Sequence, residues 1–187
     1  MKMWFLDGNH DWHDDLDILH RTHPGAVEIW PGASVVHLPR GTRWMWHDRE
    51  WLAVGGAGSP DWKLKAKQGK WFAQEVLLQE QADAVIAGGT ADVLLAHDCP
   101  ARWMLPMPEL PSFWDMSKCE ESSARLQMVV EAIQPSRLFH GHLHRYRDEI
   151  RDGCRVTGLS NDGGPLNWGI LDVRTLKLSI PSASVKG

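Results

Sequence analysis

Short apolar runs separated by turn residues fill the first third of the chain. Lys2–Leu6, Val27–Trp30, Val35–Leu38, Arg43–Trp46 and Trp51–Val54 each predict a strand, and Pro31-Gly32, Arg40-Gly41 and His47-Asp48 punctuate them as in hairpins or a meander. Between the first two runs, Leu16 and Leu19 recur at helical spacing over His13–His20, with Pro24-Gly25 as the stop. Trp71–Ala87 reads as a helix carrying Phe72, Val76, Leu77, Ala84 and Val85, closed by Gly88-Gly89. Asp92–Ala96 (DVLLA) is apolar almost throughout, as expected of a strand covered on both faces. Cys99–Met116 holds four prolines and two tryptophans; it is too long for a plain connector and is a candidate functional loop. Ser117–Gln134 presents Leu126, Val129, Val130 and Ile133 on one helical face and ends at Pro135. Arg137–Phe139, Tyr146–Ile150, Cys154–Thr157, Trp168–Val173 and Leu176–Ile180 complete the set as strands. Strands that alternate with helices and then return alone point to one α/β domain with mixed sheets over residues 1–187.

Composition changes this picture little. Hydrophobic residues make up 43% and charged residues 24%, the balance of an ordinary globular protein. Tryptophan is the outlier, at 11 residues against one tyrosine, and its first reading is core filling and loop cover rather than a platform for bases. A net charge of −4 argues against a general nucleic-acid-binding surface, which needs clustered Lys and Arg. The basic stretch Lys63-Leu64-Lys65-Ala66-Lys67-Gln68-Gly69-Lys70 reads as a solvated face. Three widely spaced cysteines form no disulfide framework and no C-x-x-C pair, so a reducing, cytoplasmic setting is expected. No leader pattern and no apolar run of membrane-spanning length is present, so no membrane partner is expected. Oligomeric state is left open.

The chemistry-bearing residues fall in three clusters, each directly after a short apolar strand: Gly8-Asn9-His10-Asp11, His97-Asp98, and His140 to His144. In layered α/β folds ligands gather at the carboxyl ends of strands, so clusters far apart in sequence can meet there. Gly8-Asn9-His10-Asp11 alone is weak, and a lone His97 is more often a hydrogen-bonded histidine than a ligand. His142 and His144, two apart on an extended segment, would point to one side and are stronger ligand candidates.

Together the three clusters resemble the later motifs of the calcineurin-like metallophosphoesterases, which read G-N-H-[DE], then H, then G-H-x-H. Here these are Gly8-Asn9-His10-Asp11, His97, and Gly141-His142-Leu143-His144. The connecting segments Val54-Gly55-Gly56-Ala57-x-Ser59-x-Asp61, Leu94–Pro100 and Asn167-Trp168-Gly169 resemble the short bacterial and phage members. The resemblance implies a four-layer α/β/β/α sandwich and hydrolysis of a phosphate monoester or diester by a water activated between two divalent metal ions. Imidazole and amide ligands suit Mn, Fe, Zn or Ni. By the same resemblance Asn9, His97 and His142 hold one ion and His144 the other. Asn9 and His10 face the substrate, and His10, the catalytic candidate, stabilises charge or protonates the leaving oxygen rather than binding metal.

Two earlier family motifs, D-x-H and G-D-x-x-[DN], have no counterpart ahead of Gly8. The expectation is that the domain is incomplete at its N-terminus and that an upstream segment of roughly 30 residues or more would carry them. Asp11-Trp12-His13 spells D-x-H but follows the loop and enters a helix, where it would shape the loop or touch substrate. The alternatives are a catalytically impaired relative acting as a metal- or partner-binding module, and a structural zinc protein using His97, His142 and His144. Other polar residues have plainer readings. Asp98 orients His97 or caps its turn, Asp7 sits in a turn or behind a ligand, and His140 packs or hydrogen-bonds. His20, His23, His37 and His47 read as solvated, Asn161–Gly164 as a turn, and Arg102 as a candidate phosphate contact.

Overall fold

The computed structural model describes residues 2–23, 25–105 and 111–181. The chain runs β1 (Met3–Phe5), α1 (His13–Thr22), β2 (Val27–Glu28), β3 (Val35–His37), β4 (Thr42–Trp46), β5 (Arg49–Val54), α2 (Trp62–Lys67), α3 (Gln79–Ala87) and β6 (Val93–Ala96). It continues with α4 (Ser117–Ile133), β7 (Arg137–His140), β8 (Arg147–Arg151), β9 (Cys154–Gly158), β10 (Ile170–Asp172) and β11 (Lys177–Ser179). Pro24, part of the expected helix stop, and positions 106–110 of the proline-rich stretch lie outside the described residues.

The architecture is mixed α/β. Six strands form the main sheet in the order β4-β5-β6-β7-β9-β8. Its inner four are parallel, and the two edge strands run antiparallel. A smaller sheet, β1-β3-β2, pairs β1 parallel to β3, and β10 with β11 forms a separate hairpin. Alternation along the parallel strands sends Leu52, Val54, Leu94, Leu138 and Val156 to one face, where they pack with Leu126, Val129 and Ile133 of α4 and Ala82 and Val85 of α3. The other face carries Trp51 and Leu95, which with Trp4, Phe5 and Trp44 line an apolar cleft of about 550 Å³. Among the described residues no helix is long and apolar enough to cross a membrane.

Helix α4 ends as its sequence directs: Gln134 takes a left-handed conformation (φ 49°), and the following Pro135 cannot continue the helix. The expected helix over Trp71–Ala87 forms only from Gln79. Ahead of it, Ala73–Glu75 makes one 3-10 turn and Val76 is extended. The reason is a set of competing bonds. Arg40 Nη2 donates to Gln74 O (2.6 Å) and Nη1 to Val76 O (2.8 Å), while the buried Glu75 carboxylate accepts from Ser59 N and Trp71 Nε1, both at 3.0 Å. Carbonyls held by a guanidinium are not free to extend a helix. The lysine stretch read as a solvated face forms α2, no residue of which is buried. Tryptophan fills the core at Trp51 and Trp103 only, whereas Trp4, Trp12, Trp30, Trp46 and Trp168 are exposed. All three cysteines are free and buried.

Candidate metal and phosphate site

The three clusters meet. The loop after β1 is shaped from within: Gly8 N donates to Asp11 Oδ2 (2.6 Å), and the buried His13 Nε2 donates to Gly8 O (2.9 Å). The D-x-H letters Asp11-Trp12-His13 therefore hold the loop, as the first of the two sequence readings has it. This presents Asn9, which is buried, with its amide nitrogen donating to Ser59 Oγ at 3.0 Å. That bond fixes which end of the amide faces inward, so Asn9 Oδ1 turns to His97 Nε2 at 3.2 Å. The His97 and His142 rings lie with centroids 5.3 Å apart. Gly8 lies under the His97 ring, where a Cβ would come within 2.5 Å of His97 Cε1. Gly8→Ala is accordingly expected to displace the His97 ring and to weaken any metal binding by the cluster roughly ten- to a hundredfold, measured by competition with a chromophoric chelator. Unchanged affinity would show that the His97 position is not needed.

Backbone bonds tie the loops to one another. Gly56 N donates to Asp7 O (2.8 Å), His97 N to Val54 O (3.3 Å), Gly141 N to His97 O (3.1 Å) and Leu159 N to His140 O (2.9 Å). The segment after β7 is not extended as the alternation predicts. His142 (φ 59°) and His144 (φ 56°) are both left-handed, and Leu143 N donates to Gly141 O at 2.7 Å. Two non-glycine residues in that region within three positions are uncommon and mark a turn whose strain the surroundings hold in place. It brings His142 against His97 and leaves His144 exposed. Below it, Arg147 Nε donates to His140 Nε2 (3.1 Å), so His140 carries its proton on Nδ1 and gives it to Gly141 O (2.9 Å). His140 thus packs and hydrogen-bonds, as the sequence suggests, and in doing so braces the ligand turn.

Burial is the main cause of depressed basicity in the cluster. It lowers His97, with Asp7 and Asp11 partly opposing, and it takes His142 down to about 3 with the help of His97 and His144. His10, exposed at the rim, is lowered by burial first and by Lys65 second. Near neutral pH these imidazoles are uncharged, the form that ligates a metal. Asn9, His97 and His142 therefore fit one ion by donor chemistry. Among the described residues no group of three His, Cys, Asp or Glu side chains is placed to hold an ion, so no such set gathers around His144.

The nearby carboxylates are engaged elsewhere. Asp7 is buried against Arg40 (3.1 Å to Nε, 2.6 Å to Nη2), and His37 Nε2 stands 3.4 Å from its other oxygen. His37, expected to be solvated, is thus buried, and its Nδ1 lies 2.6 Å from His20 Nε2. Asp98 caps its own turn by accepting from Cys99 N (2.8 Å) and does not hydrogen-bond His97; burial pushes its carboxyl up to about 7. Arg102 is exposed and turned to Glu131 at 3.3 Å, not to a phosphate position. Asn161–Gly164 is a turn, closed by Gly164 N to Asn161 O at 3.0 Å.

Sequence reasoning missed Ser59 and Lys65. Ser59 Oγ accepts from both Asn9 and Lys65 Nζ (2.8 Å), which joins a half-buried cation to the Asn9 amide. Ser59 lies in the glycine-rich Val54–Asp61 stretch, where nothing in the sequence marks its role, and Lys65 lies in a basic run whose other lysines are solvent-facing. A cavity of about 710 Å³ opens beside the cluster, bounded on one side by Asn9, His10, His142 and His144.

No protein-family model matches the chain, and no curated protein matches it. A solved structure superposes with a TM-score of 0.52 at 15% sequence identity, over 96% of this chain and 65% of that one. The likeness is one of fold, and the chain spans less than two thirds of that structure's length.

Proposed function

We propose that this chain is a metal-dependent phosphoesterase of the calcineurin-like type, on that family's four-layer α/β/β/α sandwich, hydrolysing phosphate monoesters or diesters. One observation carries the reading: Asn9 Oδ1 and His97 Nε2 approach to 3.2 Å, with His142 against His97, although 88 residues separate the first two. Asn9, His97 and His142 would hold one divalent ion, and His144 would serve a second. Such ions neutralise phosphoryl charge and acidify a bound water. Ser59 orients Asn9, and Gly8 leaves room for the His97 ring. His10 stands at the cavity rim to donate to a phosphoryl or leaving-group oxygen, and Lys65 adds fixed positive charge beside it.

His142→Ala tests the reading directly. The residue lies on a turn outside the core, so the variant should fold while its bound transition metal falls sharply, as measured by elemental analysis. Unchanged metal content would remove His142 as a ligand. Removing metal from the unmodified chain with a chelator should abolish turnover of a nitrophenyl phosphodiester yet leave the melting temperature within a few degrees. Collapse of the fold on chelation would favour the structural zinc alternative, because structural zinc contributes folding energy outright.

A further inference from the structure

The cavity beside the histidines is divided by polarity. At one end stand Asn9, His10, His142 and His144; the remaining wall is made chiefly by Pro60, Ala101, Met104, Trp114, Met116 and Leu143. At about 710 Å³ the space is of the size that encloses a small organic ligand and far exceeds what a phosphoryl group needs. Among the described residues no Lys or Arg lines it, and its carboxylates are Asp61, which lies near enough to His10 to favour its protonation, and Glu120. Lys65, whose charge acts on His10, is held by Ser59 Oγ at 2.8 Å and Asp61 Oδ1 at 3.7 Å. Beyond the histidines a polyphosphate or nucleic-acid tail would meet two carboxylates and, among the described residues, no lining Lys or Arg, which disfavours it. Methionine and tryptophan side chains offer adaptable, polarisable apolar contact.

From this division we infer that the site takes a phosphate ester with a single phosphoryl head and an apolar organic part, aryl or medium-length alkyl, seated against Trp114, Met104 and Met116. The inference rests on the phosphoesterase reading for the head group but on the cavity wall alone for the apolar part. It makes Trp114 a specificity-determining residue.

The test is calorimetric titration of the metal-loaded chain with methylphosphonate, hexylphosphonate and phenylphosphonate, none of which is hydrolysed. Burial of each methylene is expected to tighten binding by up to about fourfold, so hexylphosphonate should bind at least roughly thirtyfold more tightly than methylphosphonate. Trp114→Ser and Met116→Ser should each shrink that ratio while leaving methylphosphonate binding unchanged. Equal affinity for the methyl and hexyl compounds overturns the inference, and the unmodified chain decides this even if both variants fail to fold. Turnover of methyl, hexyl and phenyl phosphate separates the two readings. Hydrolysis indifferent to the organic group removes the apolar selection and keeps the phosphoesterase. A retained hexyl preference in binding, with no ester hydrolysed, keeps the apolar site and removes the phosphoesterase.

Discussion

Arg40→Met is expected to destabilise the fold by about 3–5 kcal/mol, the range seen when one partner of a buried ion pair is removed. The Arg40 side chain is 7% exposed and the Asp7 side chain 4%, so neither charge has water to fall back on. Arg40 also holds the carbonyls of Gln74 and Val76 and the side chain of Gln81. Its loss therefore strands a carboxylate and frees the segment that leads into α3. Burial alone would raise the Asp7 carboxyl; Arg40 and then His37 reverse this and hold it well below the usual carboxylate range. The sign with pH follows. A depressed native value means the pair's contribution is complete above the unfolded value of 3.8 and is lost as pH falls from there toward the native value. Urea titrations at pH 7 and pH 3 should show the variant's deficit shrinking at the lower pH. A deficit below about 1 kcal/mol at pH 7 would mean that His37 or water compensates the carboxylate.

His10→Ala is expected to keep the metal and cut turnover by on the order of a hundredfold or more, in a preparation with activity to measure. His10 is exposed and, among the described residues, makes no hydrogen bond that shapes the loop, whereas its neighbour Asn9 is buried and bonded to Ser59 and His97. Adjacent residues on one turn thus have separate tasks. If His10 donates a proton, the loss should be largest for alkyl esters, whose leaving groups are poor. If it only steadies phosphoryl charge, alkyl and nitrophenyl esters should suffer alike. Loss of bound metal in His10→Ala, with activity restored by excess ion, would make it a ligand and overturn the division.

The elements that sequence reasoning placed well are those whose shape is set by their own residues. DVLLA at 92–96 could only be covered on both faces, and the Leu126, Val129, Val130, Ile133 stripe could only face a core. The misread stretch, Trp71 to Leu78, is governed from outside, and α2 before it was not foreseen as a helix. Trp62 and Leu64 of α2 are not buried, so no apolar stripe announces that helix, and the stretch before α3 is held open by Arg40, more than thirty residues earlier. The same distinction runs through the site. The meeting of the three clusters was legible because each follows a strand, and strand ends converge; the choice of Asn9, His97 and His142 within them came from the family resemblance. The left-handed backbone at His142 and His144 was not legible, since only the adjacent Gly141 hinted at a turn. His37 was read as solvated because a histidine in a short strand carries no mark of a buried carboxylate in the loop that follows the neighbouring strand.

The amide-to-carbonyl bonds that run from Asp7 through Gly56, Val54, His97, Gly141 and His140 to Leu159 involve main-chain atoms only. They continue the hydrogen-bond ladder past the ends of the strands and across two sheets. Hydrogen exchange at the amides of Gly56, His97 and Gly141 should therefore slow together and report global opening rather than loop breathing. A scaffold sewn in this way does not need the His97 and His142 imidazoles to hold its loops together. The imidazoles could be exchanged one by one over evolutionary time with the rungs untouched, and a silent descendant would keep the same frame as an active ancestor.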